Sequence, residues 1–207
     1  ASEPPEVDFV AWSIPPSMVS DMQKNPNIQL FYTSEPGFYY QASNMRRRTF
    51  GYADYQNGNY TDLGKPLRKA IAYSTDKGVI VTQLLQGYGK AALGPVSPDN
   101  KIWHNDSLPA YGVNETLARQ LLDNAGYKDT DGDGWREFPD IGDTQIDMLT
   151  PEASYDPVLA VSGQMIATQA RKVGINLASR PMAFGEILNR IDNRDFLAYL
   201  LGWRLWR

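Results

Sequence analysis

KPLRKAIAYSTDKGVIVTQLLQGYGKAALGPVSP, residues 65–98, is the longest stretch in which every local signal agrees. Pro66 suits the first turn of a helix, where its missing N–H leaves nothing unsatisfied. Leu67, Ala70, Ile71 and Ser74 follow on one helical face. Asp76 is placed to cap a second helix, because its carboxylate accepts the unpaired N–H groups of a first turn. Ile80, Gln83, Leu84 and Gly87 keep helical spacing, and Gly87 suits the left-handed position after a helix end. GYGKAALGPVSP is too rich in Gly and Pro to stay regular. The stretch predicts two helices with a capped break between them and a long loop descending from the second.

Towards the N-terminus, VDFVAWSI (7–14), IQLFYT (28–33) and FYYQASN (38–44) predict strands, the last two forming a hairpin about EPG (35–37). SMVSDMQKN (17–25) predicts a short helix, and MRRRTFGYADYQNGNYTDLG (45–64) a long polar surface loop. Arg46 to Arg48 in that loop suit either an anion site or a solvated face.

Towards the C-terminus, DNKIWHNDSLPAYGV (99–113) extends the loop and holds the only histidine, His104. Asn114 caps a helix with Leu117, Leu121 and Leu122 inward and Gly126 as terminator. TQIDMLTP (144–151) predicts a strand, and Asp156-Pro157 opens a helix to about Lys172. Ala160, Gln164, Ala167 and Arg171 mark one stripe of that helix, with Val161, Met165 and Thr168 beside it. INLASR (175–180), FGEILNRI (184–191) and FLAYLLGW (196–203) predict strand, helix and strand. Strands cluster first and then alternate with helices, so the fold class is α/β: a mixed β-sheet covered by helices.

The chain has 207 residues, 42% hydrophobic and 21% charged, with a net charge of −4. That size buries a real core in a single domain. The acidic balance argues against a nucleic-acid partner. With no Cys, disulfides, thiolate metal sites and cysteine nucleophiles are excluded together. No Gly-x-Ser-x-Gly elbow or HExxH motif is present, and the lone His104 lacks partners for catalysis. These absences argue against an enzyme, and the family resemblance that follows implies a binding module. A calcium-stabilised structural domain and, after it, a hydrolase are the alternatives. The high aromatic count, 12 Tyr, 7 Phe and 5 Trp, suits a sugar- or peptide-facing surface.

The order of motifs carries a resemblance. Arg68, Ala70, Asp76, Gly87, Gly89, Gly94, Pro95 and Pro98 resemble the signature of the extracellular solute-binding proteins of family 5, the oligopeptide-, dipeptide- and nickel-binding receptors of ABC importers. FYYQASN (38–44), ARQLLDNAGYKDTDGDGWRE (118–137), ATQARKVGINL (167–177) and FLAYLLGW (196–203) resemble further family segments in the family's order. The resemblance implies one lobe, the so-called domain III, of a periplasmic-binding-protein-like (class II) fold. A partner lobe lies elsewhere in the whole receptor. It also implies a small solute (a peptide, an oligosaccharide or a metal chelate) captured between two lobes and delivered to membrane permease subunits, in a periplasmic or extracellular setting.

On that resemblance Trp203 is the first candidate for the ligand cleft, with Tyr40 and Asn44 at the third expected strand and Pro151 to Tyr155 after another. Three residues beyond Trp203, where peptide binders of the family place an Asp for the ligand's ammonium group, this chain has Trp206. An indole does not neutralise an ammonium charge, although it stacks on a cation. Arg204 and Arg207 suit an anionic or hydroxylated ligand. Separately, DTDGDGWREFPD (129–140) scans as a calcium loop with Asp129, Asp131, Asp133 and Asp140 at positions one, three, five and twelve and Gly134 at six. A plain Asp-Gly turn suits the same residues. No other cofactor is expected.

Overall fold

In the computed structural model, residues 8–10, 14–33, 37–139, 141–142 and 145–203 are described. In chain order the elements are α1 (Pro16–Met22), β1 (Phe38–Ser43), β2 (Tyr52–Asp54), β3 (Asn59–Asp62), α2 (Lys65–Ser74), α3 (Lys77–Gln83), α4 (Glu115–Asn124), β4 (Ile146–Pro151), α5 (Pro157–Arg171), β5 (Leu177–Met182), α6 (Phe184–Asp192) and β6 (Ala198–Trp203). No helix among the described residues is long and apolar enough to cross a membrane.

The capping chemistry read from the sequence holds. Asp76, Asn114 and Asp156 each accept the N–H three residues on, from Val79, Leu117 and Leu159. Each thereby satisfies one of the open donors of its helix. Gly87, Gly126 and Gly174 all adopt positive φ, at 83°, 86° and 81°.

Four strands form one sheet in the order β1-β6-β4-β5. The last three run parallel, and β1 pairs antiparallel with β6 from Phe38↔Trp203 to Ser43↔Ala198. Along β4 the side chains alternate between two cores. Ile146 and Met148 face α2 and α5, whereas Leu149 faces α6 with Ile187 and Leu201. All of β4 except Asp147 is buried, as suits a parallel strand covered on both faces. The expected α/β class, a mixed sheet covered by helices, is the architecture observed.

Several local expectations are corrected. Residues 28–33 take no sheet partner, and β1 pairs with β6 instead of forming a hairpin. Of 7–14, the described residues 8–10 and 14 form no strand. The expected 45–64 loop contains a separate two-stranded antiparallel sheet, β2-β3. On α4 the buried residues are Ala118 and Leu122, with Leu117 and Leu121 half-buried. On α5 the buried face is Leu159, Gly163, Ile166 and Ala170 with Ala160 and Ser162, not the stripe through Gln164 and Arg171. Gly163 explains the shift. A Cβ there would stand 2.5 Å from the Thr150 methyl and 2.8 Å from Ser179 Oγ, so the helix seats on the sheet at that glycine.

Candidate functional site

The carboxyl ends of three parallel strands and the loops after them are where open α/β sheets place ligands. Here β4, β5 and β6 end at Pro151, Met182 and Trp203, and β1 begins beside them at Phe38. This end of the sheet is aromatic. Trp203 is 57% exposed, although Leu200 and Leu201 of the same strand are buried. Tyr155 lies flat against Phe184, with ring centroids 4.4 Å apart and planes 8° from parallel.

Tyr39 completes the rim from the other face of the sheet. Its hydroxyl donates to Asp156 Oδ2 at 3.2 Å, and the same carboxylate caps α5 through its other oxygen. Its ring lies over Gly202, where a Cβ would come within 2.8 Å of it. The Gly-Trp pair therefore has two jobs: the glycine admits a neighbouring ring, and the tryptophan projects from the opposite face. Glu152 stands exposed on the β4–α5 loop. Exposed rings with carboxylates beside them suit amphipathic solutes, by apolar contact and by hydrogen bonds at the edges.

Tyr40 belongs to the same strand but points inward. Its ring is half-buried under α6, 5.6 Å from Phe38 and 6.0 Å from Tyr199. Burial, followed by the hydrogen bond to Tyr40, pushes the Tyr199 phenol up to about 12. Asn44 lies at the far end of β1 from Trp203. It is buried, and its amide donates to the Arg194 and Phe196 carbonyls at 3.2 and 3.0 Å while its oxygen accepts from Arg46 N–H at 3.1 Å. The structure thus brings Trp203 together with the Pro151–Tyr155 loop and not with Asn44. Arg204, Trp206 and Arg207 lie outside the described residues. Sequence reading passed over Tyr39 and Phe184. The available signal was Gly202, whose missing side chain marks a ring crossing the strand.

In the Asp-Gly turn, Asp129 accepts the N–H groups of Gly132 and Gly134 at 2.7 and 3.0 Å, and Asp133 accepts that of Trp135 at 2.7 Å. Carboxylate oxygens of Asp129, Asp131 and Glu137 lie within 4.8 Å of one another. Glu137 takes the place beside Asp129 and Asp131 that the sequence assigned to Asp133, whose carboxylate is outside the group. Asp140 lies outside the described residues. The Thr130 N–H bonded to Glu137 holds its carboxyl below the usual range. The turn closes on its own hydrogen bonds, and three carboxylates with spare lone pairs fit a hard cation such as calcium as a partial set of ligands.

The fold is shared with proteins of known structure. The oligopeptide-binding protein AppA of Bacillus subtilis is 28% identical over 160 residues, 76% of this chain and 29% of that protein. The dipeptide-binding protein of Escherichia coli is 26% identical over 152 residues, 70% of this chain and 26% of that protein. The chain therefore spans less than a third of the length of these curated relatives. The structure of AppA from Bacillus subtilis in complex with a nonapeptide superposes with a TM-score of 0.78 at 25% identity, covering 93% of this chain and 36% of that one. The structure of NikZ from Campylobacter jejuni in complex with Ni(L-His) shares the fold, with a TM-score of 0.73 at 22% identity, covering 93% of this chain and 34% of that one. The family model of the bacterial extracellular solute-binding proteins, family 5 Middle, matches residues 5–206, and the chain belongs to that family.

Proposed function

We propose that this chain supplies one lobe of the solute receptor of an ABC importer. Its role is to close, with a partner lobe, around a small solute and to present that solute to the membrane permease, outside the cytoplasmic membrane. The observation that carries this reading is the exposed aromatic rim at the carboxyl end of the sheet, Trp203, Tyr155 on Phe184, and Tyr39. Family members are binding proteins, and the reading assigns no chemistry on the ligand and no nucleic-acid partner. The similarity to AppA, named as an oligopeptide-binding protein, supports a peptide ligand. The similarity to the heme-binding protein A of Haemophilus influenzae, 23% identical over 186 residues, keeps a chelate within the class. An oligosaccharide suits the same rings.

The test is a thermal-shift screen of the full-length receptor against short peptides, oligosaccharides and metal chelates. Ligand that binds only the folded state raises the melting temperature by mass action. One class is expected to do so, with loss of the shift in Trp203→Ala. No shift with any class sinks the reading.

A second reading concerns the Asp-Gly turn, and rests on the convergence of Asp129, Asp131 and Glu137. We propose that it takes up calcium as a structural ion. Calorimetric titration with Ca²⁺ is expected to give heat that Glu137→Gln abolishes, and absence of heat at millimolar metal removes the idea.

A further inference from the structure

Arg46, Arg47 and Arg48 stand at the end of the sheet opposite the aromatic rim, in a chain whose net charge is −4. The turn that presents them is fastened from below. Asn44 accepts the Arg46 N–H, and the backbone N–H groups of Phe50 and Gly51 both donate to the Arg47 carbonyl. The β2-β3 hairpin rises beside it as a sheet of its own. Its base is clamped by Arg68, whose guanidinium bonds both oxygens of Asp62 at 2.8 and 2.7 Å and also the Phe50 carbonyl.

On this hairpin three tyrosines form one cluster. Tyr60 meets Tyr52 and Tyr55 edge-on, at centroid distances of 5.4 and 5.8 Å, and Tyr60 is 60% exposed. The Arg46 guanidinium lies over the Tyr55 ring, 4.9 Å from its centroid. Among the described residues no carboxylate pairs with Arg46. Both carboxylates of the hairpin are already committed: Asp62 to Arg68, and Asp54 to the backbone N–H and side-chain amide of Asn57. A guanidinium held on a ring keeps its donors directed outward for a carboxylate or phosphate.

We propose that this hairpin and the arginine turn form a second binding surface, separate from the solute end, that takes an anionic polysaccharide. The Arg46 guanidinium supplies the charge that draws the anion, since its neighbour Arg47 already stands 3.7 Å from Asp195. The exposed face of Tyr60 supplies a flat amphipathic platform for a sugar ring. The hairpin tip, Gln56-Asn57-Gly58-Asn59, is polar and rich in amides that pair with hydroxyl groups. That polar tip disfavours a lipid surface, which requires apolar side chains at the point of entry.

The experiment uses the chain on three supports: polygalacturonate, neutral dextran, and phosphatidylglycerol vesicles. Retention on polygalacturonate and not on dextran is expected, with release by salt as exposed charges are screened. Arg46→Gln and Tyr60→Ala are each expected to weaken it about fivefold, roughly the contribution of one cation–π or ring contact. Arg180→Gln, which removes the same charge from β5, is expected to leave retention unchanged, and melting curves establish that all variants fold. Equal retention on dextran, equal losses in Arg46→Gln and Arg180→Gln, or tighter binding to vesicles with no effect of Tyr60→Ala, would each overturn the proposal.

Discussion

Trp203 and Asn44 sit at opposite ends of one strand pair and have opposite consequences when removed. Trp203 is mostly solvent-exposed, so Trp203→Ala is expected to shift stability by less than about 0.5 kcal/mol. Its loss is expected to weaken solute binding by the full-length receptor about tenfold or more, as for a central aromatic contact. Calorimetry with the solute from the screen checks both. Asn44→Ala leaves two carbonyls and one N–H without their partner in a buried site. It is expected to destabilise the fold by about 2 kcal/mol with solute affinity unchanged, measured by denaturant unfolding. Tyr199 supplies a pH test. Its folded-state value of about 12 stands above the ordinary 10.0, so the folded protein holds the phenolic proton more tightly. That contribution is whole below pH 10 and is lost as pH rises towards 12. Melting temperature is expected to fall over that interval, less steeply in Tyr199→Phe.

At the scale of elements, Gly163 sets how closely α5 approaches the sheet. Gly163→Ala forces a methyl group against Thr150 and Ser179, whose hydroxyls are 3.1 Å apart. The expected cost is about 1–3 kcal/mol by thermal or denaturant unfolding, despite alanine's better helix propensity. A variant as stable as the parent would refute this account of the packing. The same glycine shows why α5 was legible as a helix from its Asp156-Pro157 start but its buried face was not. A stripe chosen by apolarity overlooks a contact made by the absence of a side chain. The helices beside capping residues were all legible because caps act within four residues. Residues 28–33 look like a strand by composition, but pairing depends on residues distant in sequence, and β6 took the place beside β1. The β2-β3 hairpin was hidden because its tyrosines pack on one another in an otherwise polar stretch, leaving no apolar period to read. At the aromatic end of the sheet, the Gly-Trp motif marks Trp203, which is an exposed ring, whereas Tyr39 and Phe184 depend on register and on a neighbouring loop.

At the scale of the whole molecule, the proposed solute end is, among the described residues, an open rim and not an enclosed pocket. A ligand site normally buries most of its ligand's surface, because only removal from water on several sides offsets the lost freedom of association. The rim of Trp203, Tyr155 and Tyr39 offers one wall. In the proposed receptor, two lobes closing by hinge motion would bring a second wall and exclude water from the polar contacts between them. The present chain spans less than a third of the length of its curated relatives, and the proposed receptor reading assigns the second wall to a partner lobe. Halving the contact area removes more than half the free energy, since the cost of association remains. The 207-residue chain alone is therefore expected to bind the receptor's solute at least about a hundredfold more weakly than the full-length protein, a difference of roughly 3 kcal/mol. Side-by-side calorimetric titrations of the two proteins measure it. Micromolar or tighter binding by the isolated chain would mean that this lobe carries the whole site, and that the aromatic rim is a complete pocket without closure.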